Sequence, residues 1–237
     1  MVCLASRICG GYYRNLGRET FLVPFIWEDG WPVVNPAKGI LEETFTAPNL
    51  PADDEWPVPA REDFDDGKIP MHFLYLRNPQ QENYSTTAKA GYLQMKLSPD
   101  LLSSTGAPSY LCRRQQSFNF LAGTSLTFEP AADNEQAGLA IYQSQSYNYQ
   151  LLVGTRESKT SLCVLKTYND KTEVIAEKLL DASFNTIQLR ITQNEQDLAF
   201  LYSTGSETFD TLADHVDARM LSTDVAGGFV GNTIGLF

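Results

Sequence analysis

"NTIQLRIT" (residues 185–192) decides the fold. Ile187, Leu189 and Ile191 alternate strictly with Gln188, Arg190 and Thr192, a period of two that sends apolar side chains to one side and polar ones to the other. An antiparallel strand with one face on a core and one toward water has this pattern. Working outward, "SLTFEP", "GLAIYQS", "YQLLVGTR", "SLCVLKTY", "TEVIAEKL" and "LAFLYST" carry β-branched, leucine or aromatic residues with the same period. Short polar segments separate them, "YNDKT" around Asn169 and Asp170 and "TQNEQD" around Asn194, and segments of that kind close hairpins. "TLADHVDARM" (211–220) spaces Leu212, Val216 and Met220 four apart, and is read as a loop with one helical turn. No helices alternate with the strands, so the expected fold is all-β: an antiparallel β-sandwich of jelly-roll type over residues 63–237.

Composition narrows the function classes. A chain of 237 residues with 43% hydrophobic and 20% charged residues can bury a sizeable core without staples. No apolar run is long enough to span a bilayer, so a membrane role is excluded. Eighteen Lys plus Arg against 29 Asp plus Glu give a net charge of −11 with no basic block, which argues against nucleic acid as a partner. Cys3, Cys9, Cys112 and Cys163 are far apart and read as small apolar side chains. "MVCLASRICGG" is apolar for too few residues after Met1 to be a signal-peptide core. Were Met1 the true start the protein would be cytoplasmic; otherwise the compartment is left open.

Prolines and acidic residues crowd residues 35–70 and mark an extended connector, with residues 37–62 as the linker between a first segment, 1–36, and the sandwich. The two histidines, His72 and His215, have no ligand partner at metal-binding spacing. "GGFVGNTIG" follows no βαβ unit, and reads as a close approach of backbones rather than a nucleotide loop. In "GRETFLVPFIWEDGWPVVNP" (17–36), Glu19, Glu28 and Asp29 stand with Trp27 and Trp31. Aromatic faces and carboxylates together suit sugars. Composition by itself favours Trp27 and Trp31 as core residues on a turn made by Asp29-Gly30, with Glu28 solvated.

"YYRNLGRETFLVPFIWEDGWPVVNP" resembles the last strands of the five-bladed β-propeller of glycoside hydrolase family 43, the β-xylosidases and α-L-arabinofuranosidases. "DDGKIPMHFLYLRNP", "YLCRRQQSFNFLAGTSLTFEP", "EQAGLAIYQ" and "DVAGGFVGNTIGLF" resemble that family's C-terminal concanavalin-A-like sandwich. The resemblance implies that residues 1–36 are an incomplete set of terminal propeller strands, that Met1 falls within a late strand, and that a closing sandwich strand belongs after Phe237. A sandwich without that strand has an open hydrogen-bonding edge. It implies further that the family's catalytic Asp and Glu lie on earlier blades, so no catalytic residue is assigned here. Two positions carry over by motif. Arg18, with Glu19 as its support, corresponds to a substrate-binding arginine, and Phe229 to an aromatic that closes the pocket from the sandwich side. The alternatives are an Arg18–Glu19 pair that braces the blade and a core phenylalanine. The pattern departs from the family at Val230, at Asn232 and at Phe73–Arg77. A structural calcium between first- and last-strand carboxylates would have only Glu42 and Glu43 left, too few oxygens for a hard cation, so no cofactor is expected.

The resemblance implies the C-terminal part of a xylan-directed glycosidase, with a catalytic propeller and a xylo- or arabino-oligosaccharide as partners. The competing readings are a stand-alone carbohydrate-binding module using Tyr142, Tyr147 and Tyr149, and an oligomerisation sandwich forming homo-oligomers.

Overall fold

The computed structural model describes residues 1–51, 59–180, 184–205 and 207–237. The middle of the expected linker, residues 52–58, lies outside the described residues.

Four strands open the chain: β1 (Val2–Ala5), β2 (Glu19–Leu22), β3 (Phe25–Glu28) and β4 (Trp31–Val34). β1 pairs with β2 and β3 with β4, both antiparallel. Asp29 (φ 50°) and Gly30 (φ 80°) make the β3–β4 turn, the left-handed pair that matches strand twist in two-residue hairpins. The expected turn is present, but Trp27 and Trp31 are not core residues: 67% and 76% of their surface is exposed. Their strands form a two-stranded ribbon on which no described element packs to cover the rings.

After residues with no strand come three two-residue strands, β5 (Leu74–Tyr75), β6 (Tyr84–Ser85) and β7 (Gln94–Met95). The sandwich proper follows: β8 (Leu111–Arg114), β9 (Phe120–Leu126), β10 (Ala137–Ser144), β11 (Tyr147–Arg156), β12 (Lys159–Tyr168), β13 (Lys171–Leu180), β14 (Ile187–Asn194), β15 (Asp197–Ser203), β16 (Asp210–Asp217) and β17 (Thr233–Leu236). One sheet has the order β13-β12-β11-β10-β17-β8-β5, the other β16-β15-β14-β9. β17, the last in sequence, is interior: it pairs with β10 on one side and β8 on the other. All ladders are antiparallel. Asn169 (φ 49°) with Asp170 (φ 64°) turns β12 into β13, and Glu195 (φ 55°) lies in the β14–β15 turn, as the polar breaks predict.

β14 behaves as its sequence dictates. Ile187, Leu189 and Ile191 are buried in the main core between the sheets, with Leu151, Leu162, Val164, Tyr149 and Phe200, while Gln188 faces solvent. Such a core supplies most of the folding energy, since each fully buried aliphatic or aromatic side chain contributes about 1.5–3 kcal/mol. A smaller cluster of Leu102, Tyr110, Cys112, Ala140 and Tyr142 lies on the opposite face of the larger sheet.

Two expectations fail here. Residues 210–217 are strand β16, not a loop with a helical turn, and the residues from Ala218 to Leu221 form a 3-10 turn. A spacing of four is even, so it suits one face of a strand as well as a helix. Register shifts against β15 between Leu198 and Phe200 and between Phe200 and Leu201, together with the positive φ of His215 (53°), are bulges that further blur the period. The second concerns the tyrosines. Tyr142 and Tyr149 are buried, and Tyr147 packs edge-on to Tyr168 against the main core. Tyr147 and Tyr149 do share one strand face, but it is the inner one, and the Tyr149 hydroxyl donates to Asp217 O at 3.0 Å. They offer no sugar platform.

Candidate functional site

The first segment is joined to the sandwich along residues 7–19. Asn15, fully buried, is the pin. Its Nδ2 donates to Ala218 O at 2.7 Å, its Oδ1 accepts from Gln196 Nε2 at 2.8 Å, and its carbonyl accepts from Asn232 N at 3.0 Å. Arg14 adds an ion pair with Asp224. Beyond Asn15 the chain meets the Gly227–Gly231 loop. Gly17 and Val230 form an isolated antiparallel bridge, and Arg18 N donates to Phe229 O at 3.2 Å. Glycine is required on both sides. A Cβ on Gly17 would stand 2.5 Å from the Val230 carbonyl carbon, and one on Gly231 2.5 Å from that of Leu16. The expected close approach in "GGFVGNTIG" is this crossing.

The crossing places Arg18 and Phe229 together. The Arg18 guanidinium lies over the Phe229 ring, 3.6 Å from its centroid. Both side chains are exposed, so Phe229 is not a core residue. Among the described residues the guanidinium has no carboxylate partner. An exposed guanidinium over an aromatic face has N–H donors to offer a ligand's oxygens, a combination suited to hydroxyl-bearing rings.

Glu19 is not Arg18's support. Strand alternation turns successive side chains to opposite faces, and Glu19 pairs instead with Arg7, whose Nη2 and Nε donate to its carboxylate at 2.7 and 3.1 Å. That hydrogen bonding raises the Arg7 pKa above its usual value. Arg7 Nη2 also donates to Gln116 O at 3.0 Å, so the pair braces the first segment against the sandwich. Neither Arg7 nor Asn15 stood out in the sequence, because their partners lie 12 to more than 200 residues away and depend on register and fold.

Glu42, one of the two candidate calcium carboxylates, accepts hydrogen bonds from Lys38 and Asn35. The fold also gathers a cluster that spacing did not disclose. Asp197, Asp214 and His215 offer ligand atoms within 4.8 Å of one another, all exposed, because β15 and β16 pair. Asp197 Oδ2 stands 2.8 Å from His215 Nδ1, and this bond raises the imidazole pKa. The cysteines are all free, with Cys112 and Cys163 buried, and burial pushes both thiols up to about 11.

An antiparallel sandwich bound to two preceding two-stranded sheets, with an Arg–aromatic couple at their junction, defines the class as an all-β sandwich protein. Residues 61–237 match the beta xylosidase C-terminal concanavalin A-like domain of glycoside hydrolase family 43, and the chain belongs to that family. It is 36% identical over its whole length to a non-reducing end alpha-L-arabinofuranosidase of Bacteroides ovatus, covering 44% of that protein. It is also 36% identical to a xylosidase/arabinosidase of Butyrivibrio fibrisolvens, covering 46% of it. Among solved structures, the Bacteroides ovatus xyloglucan-locus GH43B superposes with a TM-score of 0.91 at 34% identity, and the GH43 protein BlXynB of Bacillus licheniformis with 0.92 at 28%. Each superposition covers 100% of this chain and 46% of the other. The chain thus spans somewhat less than half the length of these relatives.

Proposed function

We propose that this chain is the C-terminal part of a family 43 glycosidase acting on xylan-derived oligosaccharides, in which residues 1–36 complete a catalytic propeller and the sandwich closes its sugar pocket. The observation that carries the reading is the apolar face left uncovered next to Arg18. In the β1–β2 ribbon Val2 stands opposite Leu22, and both are exposed, as are Leu4, Trp27 and Trp31. Exposed apolar surface of this kind marks a docking face; Arg18 directly precedes β2, and Phe229 lies against Arg18 across the junction.

In this role Phe229 offers a ring edge to the sugar, and Arg18, stacked on that ring, donates hydrogen bonds to sugar hydroxyls. The stack limits the arginine's rotamers before the ligand arrives, which lowers the entropy lost on binding. Glycoside hydrolysis needs a carboxylic acid to protonate the leaving oxygen and a carboxylate to activate water, placed on either side of the bond. By resemblance those groups belong to earlier blades, so the chain contributes binding and not proton transfer.

The test is calorimetric titration of this chain against the portion of the Bacteroides ovatus relative that it does not cover. Association is expected, weakened at least tenfold by Trp27→Asp combined with Leu22→Asp. Absence of association, or association indifferent to those changes, removes the docking role and leaves the free-standing module.

A further inference from the structure

Two buried side-chain oxygens behind the Phe229 loop, Gln143 Oε1 and Asn232 Oδ1, have no hydrogen-bond partner among the described residues. Their side chains belong to residues only 6% and 0% exposed. They are neighbours by register, since Tyr142 pairs with Thr233 and Gln143 and Asn232 are the next residues along the two chains.

The amide orientations are not free to exchange. Gln193 Nε2 donates to Glu195 O at 2.6 Å, so its Oε1 must accept, and it does so from Gln115 Nε2 at 3.2 Å. Gln115 Nε2 also donates to Ser117 O at 2.9 Å, which leaves Gln115 Oε1 to accept from Asn232 Nδ2 at 3.0 Å. Asn232 Oδ1 is therefore held as an acceptor by a relay anchored on two backbone carbonyls. Gln143 is held separately, its Nε2 donating to Gly227 O at 3.0 Å. Turning any one of these four amides would set oxygen against oxygen.

We propose that Gln143 Oε1 and Asn232 Oδ1 form a site for one internal water, which donates an O–H to each and so ties the Gln143 side chain, whose Nε2 holds Gly227 O at the start of the loop, to Asn232 at its end. Two fixed acceptors demand a donor, and buried waters occupy places where otherwise unsatisfied polar groups converge. A divalent cation is disfavoured by the chemistry of the set: the four side chains are neutral amides with no carboxylate, whereas a hard cation takes six or more oxygens, several of them charged. The consequence is local. The loop so fastened carries Phe229, whose carbonyl receives the Arg18 N–H, so the water sets the pose of the Arg18–Phe229 stack from behind.

A crystal structure of this chain at a resolution that shows solvent tests the site directly. A single peak within about 2.6–3.2 Å of both oxygens supports it, and a dry gap, or separate donors for the two oxygens, overturns it. In solution, Gln143→Met keeps the volume and removes both the acceptor and the Nε2 bond to Gly227 O, so it tests the fastening through Gln143 while the crystallographic peak tests the water. Hydrogen exchange at the Arg18 amide should then quicken about tenfold while that at Ile191 in the core is unchanged; an unchanged Arg18 rate refutes the fastening. Thermal unfolding in calcium chloride should match that in EDTA. A calcium-dependent rise in Tm that Gln143→Met abolishes would put a cation where we place water.

Discussion

Gly231→Ala probes the junction without introducing any new chemistry. Gly231 does not have the left-handed φ that by itself favours glycine, so alanine suits its backbone and only space is at issue. The added Cβ would stand 2.5 Å from the Leu16 carbonyl carbon and closer still to its oxygen. Both are backbone atoms, held by Asn15, which is buried and bonded at three points, so neither can yield by a rotamer change. The loop must retreat. Retreat breaks Arg18 N to Phe229 O and Asn232 N to Asn15 O, at about 1 kcal/mol each. With part of the buried Asn15–Gln196 network left unsatisfied, the total is about 2–4 kcal/mol. In a chain of this size that lowers Tm by about 4–16 °C. Denaturant unfolding followed by far-UV circular dichroism gives the free energy, and the NMR shift of the Arg18 side chain, lying over the Phe229 ring, reports the stack. A variant within about 0.5 kcal/mol of the parent, with the Arg18 shift unmoved, would refute the claim that this crossing joins the two parts of the chain.

Ile191→Ala, at the centre of β14 and fully buried, should cost about 2–5 kcal/mol in the same assay. Arg7→Ala should cost less than about 1 kcal/mol, because the Arg7–Glu19 pair has 38% and 23% of its side-chain surface exposed and water screens it. His215 should titrate above 6.5, its partner Asp197 favouring the imidazolium, and should return toward 6.5 in Asp197→Asn. The sign follows from the raised folded pKa: the contribution is fully present below 6.5 and is lost as pH rises through the folded value. An NMR titration showing no difference between parent and variant would remove the interaction.

The sandwich was legible because alternation is a local signal. Ile187, Leu189 and Ile191 announce β14 without knowledge of any neighbour, and Asn169-Asp170 announces its turn by residue type alone. β16 was not, since a spacing of four fits strand and helix alike and its bulges depend on β15. Trp27 and Trp31 show a different limit. Composition predicts burial for large aromatics, but their burial depends on surface the described residues do not supply. The candidate site was legible only in part. Motif resemblance pointed to Arg18 and Phe229, and the structure sets them in contact. The roles of Asn15 and Arg7, and the true partner of Glu19, follow from register and from contacts across more than 100 residues, which no local pattern encodes.

The central claim, that the chain shapes a sugar pocket but holds no catalytic carboxylate pair, is tested most directly by incubating the purified chain with aryl β-xylosides and aryl α-L-arabinofuranosides. The account predicts no release of the aryl group above the uncatalysed rate. Turnover that disappears when a carboxylate within residues 1–237 is changed to its amide would contradict it.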